Sequence, residues 1–99
     1  MLLRMGEKLM NIGFIGGNIK NEIKLEFIYN TKEKSISRKH TSIVKLIIEK
    51  DNNIIYARAY DDVADYIYRN LKKWDLVMLY GKVRSNYFEI FGTFSHFFT

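Results

Sequence analysis

Two segments of the chain place aromatic and cationic side chains at every second position. The first spans residues 54–60 and the second spans residues 76–84. Successive side chains of a β-strand point to opposite faces, so one face of each segment collects these residues: Tyr56, Arg58 and Tyr60 in the first, and Tyr80, Lys82 and Arg84 in the second. Flat rings stack on unpaired bases and cations contact phosphates, so the two faces predict binding of single-stranded nucleic acid. The alternative is an ordinary solvated sheet surface, because aromatic residues favour strands in general.

The opposite faces of the two segments are small or apolar, and they predict a shared core. These inward positions are Ile55, Ala57 and Ala59 in the first segment, and Val77, Leu79, Gly81 and Val83 in the second. Apolar residues at every second position are typical of a half-buried strand. The binding face and the core therefore depend on the same two strands.

The residues between these strands predict a single helix over residues 62–72. Asp61 and Asp62 suit the N-cap and the positive end of the helix dipole, and Lys72 and Lys73 suit its negative end. Capping also explains why three aspartates, including Asp65, lie close together in the sequence. One stripe of the helix is predicted to be buried, because apolar residues recur every four positions: Val63, Ile67 and Leu71.

The N-terminal half supplies the remaining strands. Residues 1–9 are interpreted as an extension, and residues 10–19 predict a first strand, with a short strand-like run at 25–29 as its continuation. Gly16 and Gly17 lie within that first strand and indicate a bend or a close approach of another backbone. Residues 30–39 form a basic segment that includes Arg38 and Lys39; it is either a solvated hairpin end or a flexible arm over a phosphate backbone.

Two further strands complete the predicted sheet. Residues 41–50 alternate so that Lys45 points outward, and a turn at 51–53 leads into the strand at residue 54. The last strand, residues 87–98, follows a turn at 85–86 and places Phe88, Ile90, Phe94 and Phe98 on one side. The predicted inward residues of the 41–50 strand are Ser42, Val44, Leu46 and Ile48. The predicted fold is all-β with one helix: a five-stranded Greek-key OB-fold barrel in a single domain at 10–99, with the helix between strands 3 and 4.

Composition limits the classes of function that remain. The chain has 99 residues, a net charge of +5 and no cysteine, so disulfides, thiolate metal sites and cysteine nucleophiles are excluded, and acidic partners are favoured. His40 and His96 lack the spacing of metal ligands, and no catalytic set is apparent. No apolar run approaches about 18 residues, and the N-terminus lacks a signal-peptide pattern. We therefore predict a binding protein without enzymatic activity, metal, cofactor or membrane association.

Several motifs resemble those of the bacterial single-stranded DNA-binding proteins, the SSB family, across about residues 10–98. Asn11 through Gly17-Asn18-Ile19 is similar to the first strand of the family, and Glu89-Ile90 resembles its last strand. The most specific block of the family is matched without a gap by Tyr60, Val63-Ala64, Leu71-Lys72-Lys73, Val77, Leu79, Gly81 and Val83-Arg84. The resemblance implies an OB-fold that binds single-stranded DNA.

The same resemblance implies roles for individual residues. The base-stacking positions of the family fall on Tyr60 and on Phe88 or its neighbour Tyr87, whereas a third stacking position falls on Ile54. Trp74 replaces a glycine of the family, and we assign it a structural role. The turns at 51–53 and 85–86 are shorter than the loops of the family, so DNA should wrap less deeply. The acidic C-terminal tip of the family has no counterpart, so recruitment of partners through such a tail is not expected.

The resemblance also implies a biological setting. Members protect single-stranded DNA in replication, recombination or repair, so we expect a homodimer or homotetramer in the cytoplasm, on the nucleoid, or in a plastid stroma. RNA remains an alternative ligand. The alternative function is that of an OB-fold subunit that binds protein or RNA within a larger nucleoprotein assembly.

Overall fold

The structure is a computed structural model that describes residues 12–28 and 40–94, together with two short strands at 4–5 and 8–9. Those two strands, β1 (Arg4–Met5) and β2 (Lys8–Leu9), pair with each other in antiparallel orientation. They lie within the segment that we interpreted as an N-terminal extension. Arg38 and Lys39 of the predicted basic arm, and residues 95–98 of the predicted last strand, lie outside the described residues.

Within residues 12–28 and 40–94, the main sheet has six strands and is accompanied by one helix. The elements are β3 (Ile12–Ile19), β4 (Glu26–Phe27), β5 (Ser42–Lys50), β6 (Asn53–Tyr60), α1 (Asp61–Asn70), β7 (Leu76–Val83) and β8 (Phe88–Thr93). The sheet order is β3-β7-β8-β6-β5-β4, and β3 also pairs with β5, so five of the strands form a closed ring. Only the β6–β8 pairing is parallel among the described strands. The predicted order of five main strands, with the helix between the third and the fourth, is confirmed.

The short strand β4 does not continue β3, and that interpretation of residues 25–29 was wrong. Glu26 and Phe27 pair with Ile43 and Ser42 of β5, on the far edge of the sheet from β7. Alternation of residue types along a segment predicts that a strand forms. It does not predict which other strand this strand pairs with, because the pairing depends on the path of the rest of the chain. Here the segment before β4 carries the chain across the outer edge of β5.

The ring closes where β3 changes partners near Gly17. β3 pairs with β7 from Ile12 to Asn18, and it pairs with β5 through Asn18 and Ile19. At Gly17, with φ of 155°, a Cβ atom would collide with the backbone carbonyl of Glu49. The predicted close approach of another backbone is therefore confirmed, and a side chain at this position would hold the ring open.

A two-residue turn connects β5 to β6. Asp51 and Asn52 both have positive φ, 53° and 68°, and Lys50 pairs directly with Asn53. Two central residues with positive φ define the mirror-image turn whose twist matches that of the flanking strands, and Asp and Asn tolerate this conformation. The predicted turn is confirmed, with Asn53 as the first residue of β6.

The core fills the inside of the ring and is closed by α1. Nearly all predicted inward positions are buried, including Val44, Leu46, Ile48, Ala57, Ala59, Val77 and Leu79. Val83 is an exception: it is exposed because it is the last residue of β7, at the hairpin end of the ring. The register shift between Tyr80 and Gly81 explains a second exception. It reverses the alternation of β8, so the ring of Phe94 packs near Tyr80 on the outer face rather than in the core.

The helix buries the predicted stripe but is shorter at its C-terminal end than predicted. Ile67 and Leu71 are buried and Val63 is half-buried, while Ala64 completes the contact surface. At Leu71 the backbone becomes extended, and its N–H donates to the carbonyl of Ile67 at 2.9 Å. Within the described part of the chain, no helix is both long and apolar enough to cross a membrane.

Candidate nucleic-acid interface

Three of the predicted cations lie in one row across the outer face of the sheet. Lys45 of β5 pairs with Arg58 of β6, and Arg58 pairs with Glu89 of β8. Glu89 in turn pairs with Lys82 of β7. Directly opposed residues have Cβ atoms about 4.5–5.5 Å apart, so four neighbouring strands bring cations from distant parts of the sequence together. Glu89 is the acidic member of this row.

A groove crosses this row at Arg58. The guanidinium carbon of Arg58 lies 4.4 Å from the ring centroid of Tyr87. Two depressions, of about 330 and 540 Å³, share Arg58, Asn86 and Tyr87 in their walls. We call their union the groove. Its remaining described lining includes Asn21, Lys45, Ile47 and Tyr56 on one side, and Lys82, Arg84 and Ser85 on the other.

The groove combines an exposed aromatic ring with an excess of positive charge. The side chain of Tyr56 is 60% exposed, so its ring is accessible to a ligand. Arg84 forms an ion pair with Glu89, in which its Nη2 and Nε donate to the same carboxylate oxygen at 2.6 and 2.8 Å. This pair orients Arg84 along the wall and neutralises part of the local charge, whereas Lys45, Arg58 and Lys82 add to it.

Tyr60 is not an open stacking surface, which corrects its predicted role. It is only 8% exposed because its ring stacks on His40, with centroids 4.1 Å apart, and packs with Ile43 and Ile28. Burial, together with a hydrogen bond to Tyr87, raises the pKa of Tyr60 to about 12, although Arg58 acts in the opposite direction. Tyr60 therefore interacts with Tyr87 and Arg58 but does not line the groove, and its ring is not available to a base.

Phe88 and Tyr80 are also placed outside the groove lining. Phe88 is 4% exposed and belongs to the core, so the alternative that assigned base stacking to Phe88 was wrong; Tyr87 lies in the groove. Tyr80 shares a face with Lys82, but its ring lies 5.1 Å from that of Phe94 and 6.5 Å from that of Phe14. It contributes to a separate aromatic cluster.

Asp61 anchors the segment that covers Tyr60. Its carboxylate accepts hydrogen bonds from the Thr41 N–H at 2.7 Å, the Thr41 hydroxyl at 3.0 Å and the Ser42 N–H at 3.3 Å, and it lies 2.7 Å from Nδ1 of His40. The predicted helix cap at Asp61 was wrong, because the helix has no side-chain cap hydrogen bond and Asp61 has φ of 54°. The carboxylate points back to β5 and fixes His40 against Tyr60.

Comparison with known proteins identifies the fold. No protein-family model matches the sequence, and no curated protein is similar to it in sequence. Among solved structures, the SSB domain of a protein from Synechococcus sp. is similar, with a TM-score of 0.68 and 13% identity over 85% of this chain and 93% of that chain. The chain has the fold of an SSB domain. The resemblance that the sequence motifs indicated is confirmed at this level.

In this SSB-like fold, Trp74 has a backbone conformation and an exposed ring that the sequence did not predict. Its φ of 80° is a conformation that favours glycine, which is the residue that the SSB family has there. The indole is 60% exposed, so the ring is not part of the core. Asn21 was also missed: its amide donates to the Lys45 carbonyl and accepts from the Ile47 N–H, both at 2.9 Å. A lone asparagine in a polar segment carries no sequence signal for such a role.

Asp61→Asn is expected to destabilise the SSB-like fold at neutral pH by about 1–2 kcal/mol, a value reduced for its partial exposure. Burial alone raises the pKa of Asp61, but hydrogen bonds from Thr41, His40 and Ser42 outweigh it and lower the pKa to about 2. Because the folded-state pKa is depressed, the stabilisation is complete above about pH 4 and is lost as pH falls towards 2. Urea unfolding at pH 7, 4 and 2 should show that the difference in the free energy of unfolding between variant and parent decreases as the pH falls.

Asp62→Asn is the matched control, because Asp62 is an exposed neighbour with the same charge. It should change stability by less than about 0.5 kcal/mol. Equal effects of the two substitutions at every pH would show that the Asp61 carboxylate does not anchor residues 40–42. Within the described residues, no group of three potential ligands could hold a metal ion.

Proposed function

We propose that the protein binds single-stranded nucleic acid, without sequence preference, along the groove. The observation that carries this proposal is the placement of Arg58 over Tyr87 at the point where the two depressions meet. A base can stack on the exposed ring of Tyr56 or on Tyr87, while Lys45, Arg58 and Lys82 contact the phosphates on either side. Stacking and charge act without reading base edges, so every sequence is accepted.

The biological role that we infer is protection of single-stranded DNA in replication, recombination or repair. The SSB-like fold and the net charge of +5 support DNA as the ligand. Such a role places the protein in the cytoplasm, on the nucleoid or in a plastid stroma. It also requires no catalytic group, so we propose a binding protein and not an enzyme.

Fluorescence anisotropy of a labelled dT oligonucleotide tests the proposal, because stacking and charge affect it differently. Tyr56→Ala should weaken binding by about 1–3 kcal/mol with little change in salt dependence, since no phosphate contact is removed. Lys82→Gln should reduce the slope of log K against log salt by about 0.7, the value for one phosphate contact on a single strand. Titrations between about 50 and 200 mM salt measure both quantities.

Matched controls lie on the exposed side of α1. Tyr68→Ala removes a ring that is 49% exposed, and Arg69→Gln removes an exposed cation; neither residue lines the groove. Both controls should bind dT as the parent does. If Tyr56→Ala and Lys82→Gln behave like these controls while the parent binds, the strand follows another surface. If the parent does not bind dT at either salt concentration, the proposed function is wrong.

The second part of the proposal is a homodimer or homotetramer formed through the outer face of β3 and β7. Phe14 is 53% exposed, and its ring lies 5.9 Å from Phe94 and 6.5 Å from Tyr80. Leu76 is exposed on the same strand as Tyr80. Exposed apolar clusters of this kind are typical of protein contacts.

Phe14→Asp is therefore expected to shift the protein to monomer in sedimentation velocity at about 50 µM, where weak interfaces remain associated. A charge introduced into an apolar contact loses its hydration without gaining a partner. Tyr66→Asp, on an exposed position of α1, is the control and should sediment as the parent does. A parent that is monomeric at this concentration would contradict the assembly.

The same aromatic cluster favours the protein-binding form of the alternative function, a subunit that binds protein or RNA within a larger nucleoprotein assembly. Phe14, Tyr80 and Phe94 present an apolar surface that a nucleic acid does not require. Parallel titrations with rU and dT oligonucleotides of equal length separate the ligands. Tighter binding of rU would favour the RNA-binding subunit.

A further inference from the structure

Trp74 holds an exposed indole on a fixed backbone. Its N–H donates to the carbonyl of Ile19 at 2.7 Å, and its own carbonyl accepts from the side-chain amide of Asn18 at 3.2 Å. Both of its backbone polar groups are therefore tied to the end of β3. The indole itself is 60% exposed, so most of the ring faces solvent.

The backbone conformation of Trp74 is unfavourable for any residue with a side chain. With φ of 80°, its Cβ is crowded by the adjacent peptide group, and glycine would avoid this contact. A large aromatic residue usually offsets such strain by burying its ring, which Trp74 does not do. Backbone strain that is not offset by packing of the side chain is a feature of functional positions.

Two lysine ammonium groups lie close to this ring. Lys20 Nζ lies 4.8 Å from the centroid, and Lys73 Nζ lies 4.9 Å from it. Lys20 also forms an ion pair with Glu49 at 2.9 Å, which holds its ammonium group beside the ring. An exposed tryptophan between two cations presents the two surfaces that a single strand needs, one for a base and one for phosphates.

This cluster is continuous with the groove. Lys20 is followed by Asn21, which lines the groove and is hydrogen-bonded to the backbone of Lys45 and Ile47. The Lys20 N–H also donates to the carbonyl of Ile47 at 2.8 Å. A strand that leaves the groove past Asn21 therefore meets Lys20, whose ammonium group lies beside the indole.

We propose that Trp74, Lys20 and Lys73 form an additional binding site for single-stranded nucleic acid, in which an unpaired base stacks on the indole and the lysines contact the flanking phosphates. This site rests on the proposed function of the groove and extends its length. On binding, a lysine leaves the ring face for a phosphate and the base takes its place. The exchange is favourable, because an exposed cation over a ring contributes about 2- to 5-fold, and base stacking about 5- to 150-fold.

The sequence provides a direct reporter, since Trp74 is the only tryptophan. An unlabelled dT oligonucleotide of about 16 nucleotides, the upper site size for one OB-fold, is titrated while indole emission is recorded. Anisotropy of the same oligonucleotide carrying a label gives the binding curve independently. We expect saturable quenching of indole emission with the midpoint that anisotropy gives.

Three substitutions separate the ring from the backbone. Trp74→Leu removes the aromatic surface but keeps a side chain, and it should weaken binding by about tenfold. Trp74→Gly should weaken binding equally while leaving the thermal midpoint of unfolding equal to or higher than that of the parent, because the strain at positive φ is relieved. Trp74→Phe keeps a ring and should lose less than about threefold. Tyr68→Ala, an exposed ring on α1, is the control and should bind normally.

The outcomes of these experiments distinguish the site at Trp74 from the groove. Binding by anisotropy without quenching, or a Trp74→Leu variant that binds as the parent does, overturns the site at Trp74 and leaves the groove intact. Lys73→Gln should reduce the salt slope by about 0.7, and an unchanged slope removes the phosphate contact from the proposal. Absence of any binding by the parent overturns the proposed function of the groove itself.

Discussion

Alanine in place of Phe88 is expected to destabilise the protein by about 3–5 kcal/mol, whereas alanine at the adjacent Tyr87 should leave the fold largely intact and weaken nucleic-acid binding. Phe88 is 4% exposed and packs in the core inside the ring. Truncation of a buried aromatic ring loses its transfer free energy and leaves a cavity, which together cost this amount. For a chain of this size, such a loss is a large fraction of the total stability.

Tyr87 immediately precedes the same strand and lies outside the core. Its ring contacts Arg58 and its hydroxyl region faces Tyr60, so Tyr87→Ala loses one cation–π contact and one hydrogen bond. The expected cost to stability is about 1 kcal/mol, because Tyr60 can then bond to water. Binding of dT should fall by about 1–3 kcal/mol.

Urea unfolding and dT anisotropy of both variants test this pair of predictions. The parent and Tyr68→Ala serve as references, since Tyr68 is exposed on α1 and does not line the groove. A stable Phe88→Ala variant with weakened binding would reverse the two assignments and place Phe88 in the site. A Tyr87→Ala variant that binds as the parent does would remove the central aromatic residue from the groove.

Gly17→Ala is expected to destabilise the protein by about 2–5 kcal/mol, whereas Gly16→Ala should change stability by less than about 0.5 kcal/mol. At Gly17 an added Cβ meets the backbone of Glu49, which cannot move without opening the β3–β5 pairing. At Gly16 the nearest atoms lie at ordinary contact distance, 3.5 Å for the Val77 carbonyl oxygen and 3.8 Å for the Met78 methyl carbon. The two substitutions are chemically identical and adjacent in sequence.

The midpoint of urea unfolding measures this difference. Because Gly17 lies where β3 passes from β7 to β5, its replacement acts on ring closure, and protection of β3 amides from hydrogen exchange should fall first. Equal stabilities of the Gly16→Ala and Gly17→Ala variants would mean that β3 does not approach Glu49 as closely as the structure shows. A loss confined to the Gly17 variant would identify ring closure as the step that requires glycine.

The sequence by itself determined the strands, the helix and the face to which most side chains point. Alternation at every second position placed Val44, Leu46, Ala57 and Leu79 in the core, and the four-residue repeat placed Ile67 on the buried side of α1. These properties follow from local backbone geometry, since the period of a strand or a helix is set by neighbouring residues alone. The resemblance to the SSB family followed from the order and spacing of the same residues.

The tertiary structure alone decided which outward side chains are accessible. Tyr56 and Tyr60 have the same parity in β6, yet Tyr60 is covered because Asp61 draws residues 40–42 over it. One register shift in the β7–β8 pair moved Phe94 to the outer face. The indole of Trp74 is exposed, and its backbone is hydrogen-bonded to β3. Each of these results depends on contacts between segments far apart in the chain, and no local pattern encodes them.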